Sequence, residues 1–402
     1  MKYNIHKTLL EFSDINEVNK NIESNFGSHD IYKISLAYGY PGIALLFNEA
    51  YKLTKDFTYY QNCHYYISET LKLIKNNPVY STSLFTGIMG YLFTLATCSN
   101  EGKNYRTITY QLLEEYSKVF NISFHEISNA FLSNEFSKDI FDIINGASGT
   151  LLSLLHVYDI YGDIHYNLTQ WIQKHTNLLE ELIKQSIKEN NFTHESITVD
   201  LGVSHGITGV INIVNASFKR GFGTKSLYST LLQSKTFLLS LIEKYENSLI
   251  IPNFIHTSNT DMNHRDAWCY GTPGVSMVLY NLGINLKDND IIACGKKLAR
   301  ETLKRDKDIR FLISPTLCHG YSGIAIINKI LGNYKVSEYY FNQIENSKNN
   351  NLKFLFENID FNGEKYIYND NVSLLEGSSG VMLTLFSKKT FNSLWYKLFC
   401  FS

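Results

Sequence analysis

In "SPTLCHGYSGIAIIN" (314–328), Cys318 and His319 stand side by side directly ahead of Gly320. A thiolate and an imidazole are ordinary ligands of zinc. The dipeptide alone decides little. The chain has six cysteines and twelve histidines in 402 residues, and a second pair, Cys63-His64, occurs in "YQNCHYYIS". A buried cysteine beside a satisfied core histidine is the plain alternative. What separates the two readings is whether Cys318-His319 belongs to a larger pattern.

It does. "AYGYPGIALLF" begins at Ala37, "FTGIMGYLFTL" at Phe85, "INGASGTLLSLL" at Ile144, "SHGITGVINIV" at Ser204, "CYGTPGVSMVLY" at Cys269, "CHGYSGIAIIN" at Cys318 and "LEGSSGVMLTLF" at Leu375. Each holds Gly-x-x-Gly followed at once by an apolar run. The first glycines are Gly39, Gly87, Gly146, Gly206, Gly271, Gly320 and Gly377, spaced 48 to 65 residues apart. One Gly-x-x-Gly carries no information, but seven at similar intervals make a repeat. The interval fits two helices and their loops. Segments between the motifs, such as 165–190 and 228–247, carry apolar residues at three- and four-residue steps, as amphipathic helices do. The runs after the motifs are apolar on all sides and read as buried helices.

These features predict an all-α fold, an α/α toroid of seven helix pairs. The Gly-x-x-Gly motifs open the helices of an inner ring, and the amphipathic helices form an outer ring. An open solenoid is disfavoured because its ends need polar caps, whereas the first and last motifs are as apolar as the middle ones. The whole chain, 1–402, is expected to be a single domain. Stretches 101–140 and 247–263 are candidates for irregular or partly β excursions.

In a closed toroid, equivalent positions converge on the axis. One residue before each first glycine the chain reads Tyr38, Thr86, Asn145, His205, Tyr270, His319 and Glu376. Two residues before, it reads Ala37, Phe85, Ile144, Ser204, Cys269, Cys318 and Leu375. Cys269, Cys318 and His319 thus offer two thiolates and an imidazole near one point. Three protein ligands with a fourth position open is the arrangement of catalytic zinc. No convincing fourth ligand in register completes it, although His205, one repeat before, could reach. Cys63-His64 falls outside the register.

The composition narrows the function classes. Lys and Arg number 37 against 38 Asp and Glu, which argues against a nucleic-acid binder. The N-terminus lacks signal-peptide features, and no run reaches the length of a transmembrane helix. Six cysteines in so long a chain do not make a disulfide framework. A reducing cytoplasm is expected.

"RDAWCYGTPG" (265–274), "CHGYSG" (318–323), "VSHGITG" (203–209) and "DIINGASG" (142–149) together resemble the lanthionine synthetase C-like family, and more narrowly its stand-alone lantibiotic cyclases. The resemblance spans the chain. It implies an α/α toroid and one zinc ion per chain on Cys269, Cys318 and His319. It further implies site residues at Asp142, His205, Arg265 and Tyr270. The implied reaction adds peptide cysteine thiols to dehydroalanine or dehydrobutyrine and forms lanthionine or methyllanthionine rings. The substrate would be a dehydrated lantibiotic precursor peptide. The dehydratase and exporter of the pathway would be partners, and through that complex the enzyme would associate peripherally with the membrane.

The residues suit that chemistry. A free cysteine, with a pKa of about 8.5, is little ionised at neutral pH, and zinc deprotonates a coordinated thiol. Addition to the alkene leaves an enolate that needs a proton at its α-carbon. His205 titrates in the right range for that acid, and for the base that takes the thiol proton. Asp142 orients or tunes a cationic partner, or forms a structural ion pair with Arg265. Arg265 otherwise steadies the enolate oxygen. Tyr270 assists proton transfer or lines the pocket. Asp266 reads as a loop partner and Trp268 as site wall. Competing readings are a glycoside hydrolase, which needs two facing carboxylates, a zinc prenyltransferase, and a zinc-stabilised scaffold binding peptides or glutathione without cyclase activity.

Overall fold

The computed structural model describes residues 2–77, 81–133, 138–188, 199–255, 265–306, 310–390 and 392–399. The helices in chain order are α1 (Lys2–Ser13), α2 (Ile15–Phe26), α3 (Asp30–Ile34), α4 (Tyr40–Thr54), α5 (Phe57–Asn76), α6 (Ile88–Thr97), α7 (Arg106–Leu132), α8 (Lys138–Phe141) and α9 (Ala147–Tyr161). They continue with α10 (Leu168–Lys188), α11 (Ile207–Lys219), α12 (Lys225–Ser240), α13 (Thr272–Leu286), α14 (Asn289–Glu301), α15 (Tyr321–Ile330), α16 (Tyr334–Asn346) and α17 (Ser378–Phe386). The strands are β1 (Val199–Asp200), β2 (Glu243–Tyr245), β3 (Ser248–Ile250), β4 (Phe254–Ile255), β5 (Asn358–Phe361) and β6 (Tyr366–Asn369), paired antiparallel as β1–β4, β2–β3 and β5–β6.

The seven Gly-x-x-Gly runs become α4, α6, α9, α11, α13, α15 and α17, and each has the first glycine of its motif at the N-cap. Their all-round apolar character is explained by their burial: in α4, every residue from Tyr40 to Ala50 is buried. Fully burying a side chain the size of Leu or Phe contributes about 1.5–3 kcal/mol, so these helices hold the fold through packing. The amphipathic segments pack outside them.

The ring is closed, and two sets of contacts show it. In the first, backbone N–H groups in each motif loop donate to the carbonyl two residues ahead of the next repeat's first glycine. The series runs Ala37 to Phe85, Phe85 to Ile144, Ile143 to Ser204, Val203 to Cys269, Cys269 to Cys318 and Cys318 to Leu375. It ends with Leu374 to Ala37, and its lengths are 2.7–3.3 Å. In the second, each motif's second glycine faces a side chain of the preceding repeat. A Cβ on Gly90 would stand 2.7 Å from that of Leu36, and one on Gly42 would stand 2.9 Å from that of Leu374, which joins the last repeat to the first. Any larger side chain there would push inner helices apart.

The outer ring departs from the expected scheme in one place. After α17 no long helix follows among the described residues. The chain's other end packs beside the last repeat instead: the Phe12 ring of α1 packs tilted against Phe354 with centroids 4.8 Å apart, Lys353 pairs with Glu17, and Asn21 of α2 donates to the Asp370 carbonyl. The C-terminal 3₁₀ segment Leu394–Phe399 touches repeats that are not neighbours. Lys397 pairs with Asp159 of α9, the Phe399 carbonyl accepts from Trp268, and Trp395 donates to Ser387 beyond α17. The segment therefore crosses the ring from one side to the other instead of following its circumference.

Of the two expected excursions, 101–140 is helix over most of its length, in α7 and the start of α8. It contributes an outer helix rather than β structure. Within 247–263, β3 and β4 are strands, and residues 256–263 lie outside the described residues.

Candidate active site

The seven inner helices all start from the same end, so their N-termini converge there. Their partial positive charges favour anionic groups at that end. The register predicted from the sequence holds in space. Thr86 hydrogen-bonds to Asn145, the rings of His205 and Tyr270 are 6.4 Å apart, and His319 lies beside Glu376.

Cys269 and Cys318 are linked through the backbone bond between their loops. The neighbouring Cys269 thiol and burial together hold the Cys318 thiol well above its usual range. His319 is buried, and burial lowers its pKa, favouring the neutral imidazole that binds metals. Its Nε2–H donates to Asn358 Oδ1 at 3.0 Å, so Nδ1 is the nitrogen left to face the thiols. Asn358 Oδ1 also accepts from Ser314 Oγ at 2.9 Å. Ligating histidines are commonly oriented in this way by an acceptor on the far nitrogen. The ligand atoms of Cys318, His319 and Glu376 lie within 4.8 Å of one another. Cys269 is not in that group and is tied to it through the backbone bond to Cys318; a thiol and an imidazole together, with a second thiol on the adjoining loop, are donor types that suit zinc.

The second cluster is a histidine–carboxylate pair. Asp142 is buried and makes three contacts with its two oxygens. Oδ1 accepts from the backbone N–H groups of Asn145 at 2.7 Å and Gly146 at 2.8 Å, which ties it to the start of α9. Oδ2 accepts from His205 Nδ1 at 2.6 Å. His205 Nδ1 therefore carries a proton, and Nε2 makes no hydrogen bond among the described residues. In the first, second and last repeats, this register position is Ser35, Ser83 and Ser373, whose hydroxyls cap the same turn. Asp142 keeps the cap and adds the arm that holds His205. His205 groups with Asp142 and the exposed Asp139, apart from the group that Cys318 and His319 form with Glu376.

The alternative pairing of Asp142 with Arg265 is not found. Arg265 pairs with Asp360 on β5 at 3.1 Å and lies over the Phe311 ring at 5.1 Å. Tyr270 donates its hydroxyl to Asp200 Oδ2 at 2.8 Å. Burial first, and then Asp200, push its pKa up, so its proton is firmly held. Asp266 pairs with Arg305 at 2.7 Å, as a loop partner would, and Trp268 is buried against Phe399. Gly271 takes φ +90°, and a Cβ there would lie 1.8 Å from the Arg265 carbonyl oxygen, so only glycine fits between the Cys269 turn and Arg265.

Sequence reasoning missed Asn358, Asp360, Asp200 and the closeness of Glu376 to His319. The first three sit on short strands outside the repeat register. Glu376 was in register, at the same position as His319 in the following repeat.

A family model described as "Lanthionine synthetase C-like protein" matches residues 30–398. The chain is 24% identical over 415 residues to "Nisin biosynthesis protein NisC" of Lactococcus lactis subsp. lactis, covering 96% of this chain and 91% of that protein. The solved structure of "Nisin cyclase" superposes with a TM-score of 0.77 at 19% identity, covering all of this chain and 98% of that one. No helix among the described residues is long and apolar enough to cross a membrane.

Proposed function

Since the chain belongs to the lanthionine synthetase C-like family, we propose that it is a lantibiotic cyclase acting on a dehydrated precursor peptide, with one zinc held by Cys269, Cys318 and His319. We take residues 1–402 as the single toroid domain that carries this activity, working in the cytoplasm. The pathway's dehydratase would supply the dehydrated peptide and its exporter would remove the product, with peripheral membrane association through that complex.

The observation that carries the reading is the meeting of two kinds of group in consecutive loops. A thiol pair with a buried imidazole lies beside a histidine whose tautomer a buried carboxylate fixes. Zinc, when bound, supplies the means of ionising a substrate thiol near neutral pH. The chain's own residues do the rest. Asn358 holds the His319 ring, and the Cys269–Cys318 backbone bond fixes the sulfurs. His205 takes the thiol proton on Nε2 and returns a proton to the α-carbon after C–S bond formation, while Asp142 keeps Nδ1–H in place. Arg265, held by Asp360 and Phe311, presents a cation for the enolate oxygen. Tyr270 lines the pocket, its hydroxyl committed to Asp200.

The test separates the two clusters. Parent, His205→Ala and Cys269→Ala proteins are incubated with a dehydroalanine-containing cysteine peptide while free thiols and bound zinc are measured. His205→Ala should keep its zinc and lose ring closure by about 10²–10⁴-fold, whereas Cys269→Ala should lose both. Zinc loss in His205→Ala would overturn the division of roles. A zinc-loaded parent that leaves every thiol free would return the chain to the scaffold reading.

A further inference from the structure

The β5–β6 hairpin carries more than the partners of His319 and Arg265. Its second strand, β6, leaves Tyr366 54%, Ile367 45% and Tyr368 60% exposed. Every other exposed large hydrophobic among the described residues stands without another beside it in the chain. We propose that the outer edge of β6 is a docking strand for the substrate peptide, an extended segment of which joins the hairpin as a third strand. The inference rests on the cyclase reading above and adds the place where the chain flanking the reacting residues lies.

The backbone of β6 has an edge to offer. It pairs with β5 in the register Asn358–Asn369, Ile359–Tyr368, Asp360–Ile367 and Phe361–Tyr366, and the pair has no third strand among the described residues. In the turn, Asn362 N–H donates to the Lys365 carbonyl at 3.3 Å. Antiparallel partners alternate between bonded and non-bonded pairs. Ile367 and Asn369 therefore direct their N–H and C=O groups to β5, and Tyr366 and Tyr368 direct theirs outward. Proteins commonly guard such an edge with charge, proline or a bulge. β6 reads Tyr-Ile-Tyr-Asn in unbroken register and carries none of these.

Side chains connect this edge to the site. Tyr366 and Tyr368 share a face with their cross-strand neighbours Phe361 and Ile359. The Tyr366 ring lies 5.3 Å from that of Phe361, Phe361 lies 6.0 Å from Phe311, and the Arg265 guanidinium lies 5.1 Å over Phe311. A path of rings thus runs from the exposed strand to the cation assigned to the enolate oxygen. At the far end of the pair, Asn369 stands opposite Asn358, the acceptor of the His319 N–H. Neighbouring strands lie about 4.8 Å apart, so a peptide on β6 passes roughly 10 Å from Asn358. About three extended residues span that distance.

The chemistry of the edge selects a peptide as the occupant. Main-chain pairing recognises extended chain of almost any sequence, while alternate side chains rest on the exposed rings. Dehydrated residues suit those rings, because their side groups are planar and uncharged. Holding the flanking chain on β6 also orders the peptide before the bond forms, which favours meeting of thiol and alkene on one tether.

Two synthetic peptides test the proposal with zinc-loaded protein. Both contain one dehydroalanine and one cysteine. The long one adds about six alternating valine and threonine residues on each side, a usual strand length. The parent should close the long peptide with a KM about tenfold or more below that of the short one. Tyr368→Pro removes the outward N–H at an edge position where proline is tolerated. It should raise the KM for the long peptide by about tenfold, with a smaller change in kcat. Tyr368→Thr keeps the N–H and should raise it less. Amide exchange across 365–369 of the parent should slow on adding the long peptide with serine in place of its cysteine. Equal KM values for the two peptides, or a Tyr368→Thr protein as impaired as Tyr368→Pro, overturn the proposal. If Tyr368→Pro fails to fold, the exchange measurement decides, and unslowed exchange overturns it. Protection of these amides by a second copy of the chain or by phosphatidylcholine vesicles, and not by the peptide, also overturns it. A parent that closes neither peptide sinks the cyclase reading together with this one, whereas a parent that closes both equally well sinks this one alone.

Discussion

Replacing Asp142 with Asn tests the histidine–carboxylate pair more sharply than removing either residue. Asp142 Oδ1 is held by two backbone N–H groups at 2.7 and 2.8 Å. In Asp142→Asn only the amide oxygen can accept those two bonds, so the amide nitrogen must turn toward His205. There it meets Nδ1 at the 2.6 Å contact. An NH₂ group donates, so Nδ1 must accept, and the imidazole proton moves to Nε2. The nitrogen facing the substrate then carries the proton at the stage when it should be free. The same exchange in a Ser-His-Asp triad, where it also forces the wrong tautomer, costs roughly 10⁴-fold in turnover. Stability should hardly change, because Asn caps a helix start about as well as Asp. Asp142→Ala, in contrast, should lose about 1 kcal/mol of capping as well as activity. The assay follows free-thiol loss on a dehydrated cysteine peptide, alongside zinc content and thermal unfolding. Asp142→Asn should keep parental zinc and melting behaviour while ring closure falls by about three to four orders of magnitude. Ring closure within tenfold of the parent would refute the tautomer argument, since the geometry leaves the substituted amide no other way to satisfy the backbone.

Asn358→Leu should weaken zinc by about ten- to a hundredfold, because His319 loses the acceptor that orients its ring; chelator competition measures it, and unchanged affinity would remove Asn358 from the site. Gly320→Val should fail to fold or lose its metal, since a Cβ there would lie 2.3 Å from the Ser314 carbonyl oxygen and 2.5 Å from the Thr316 nitrogen; a soluble, metallated protein with the parental melting temperature would contradict this. Burial pushes His156 down to about 3 and His175 down to about 4. Unfolded histidine titrates near 6.5, so as pH falls below that value the unfolded chain takes up protons that the fold refuses. Stability should therefore drop from pH 6.5 toward 4, by about 2 kcal/mol per histidine at pH 5. A His156→Gln, His175→Gln double variant should flatten that slope in urea midpoints, and an unaltered slope would count against it.

The repeat was legible because it is covalent and local. Gly-x-x-Gly followed by an apolar run states its own helix start and its own burial, and seven copies state the ring. Once the ring closes, register alone brings Cys269, Cys318 and His319 to one end and sets His205 one repeat before them, so this much of the site could be read without coordinates. The register also held Glu376, but a lone acid ahead of a glycine carries no signal until its distance to His319 is known. What only the tertiary structure decided are the contacts made across the register. Asp142 reaches His205 of the next repeat instead of Arg265, because its turn aims one oxygen along the ring. Arg265 meets Asp360, and His319 meets Asn358, through a strand pair 95 and 39 residues further along the chain. Tyr270 finds Asp200 on a strand outside the helical repeat. The chain ends complete the outer ring and cross it through Phe12, Asn21 and Phe399. Periodicity describes what each segment buries. Which side chain meets which depends on closure of the whole ring, and closure is a property of the packed molecule.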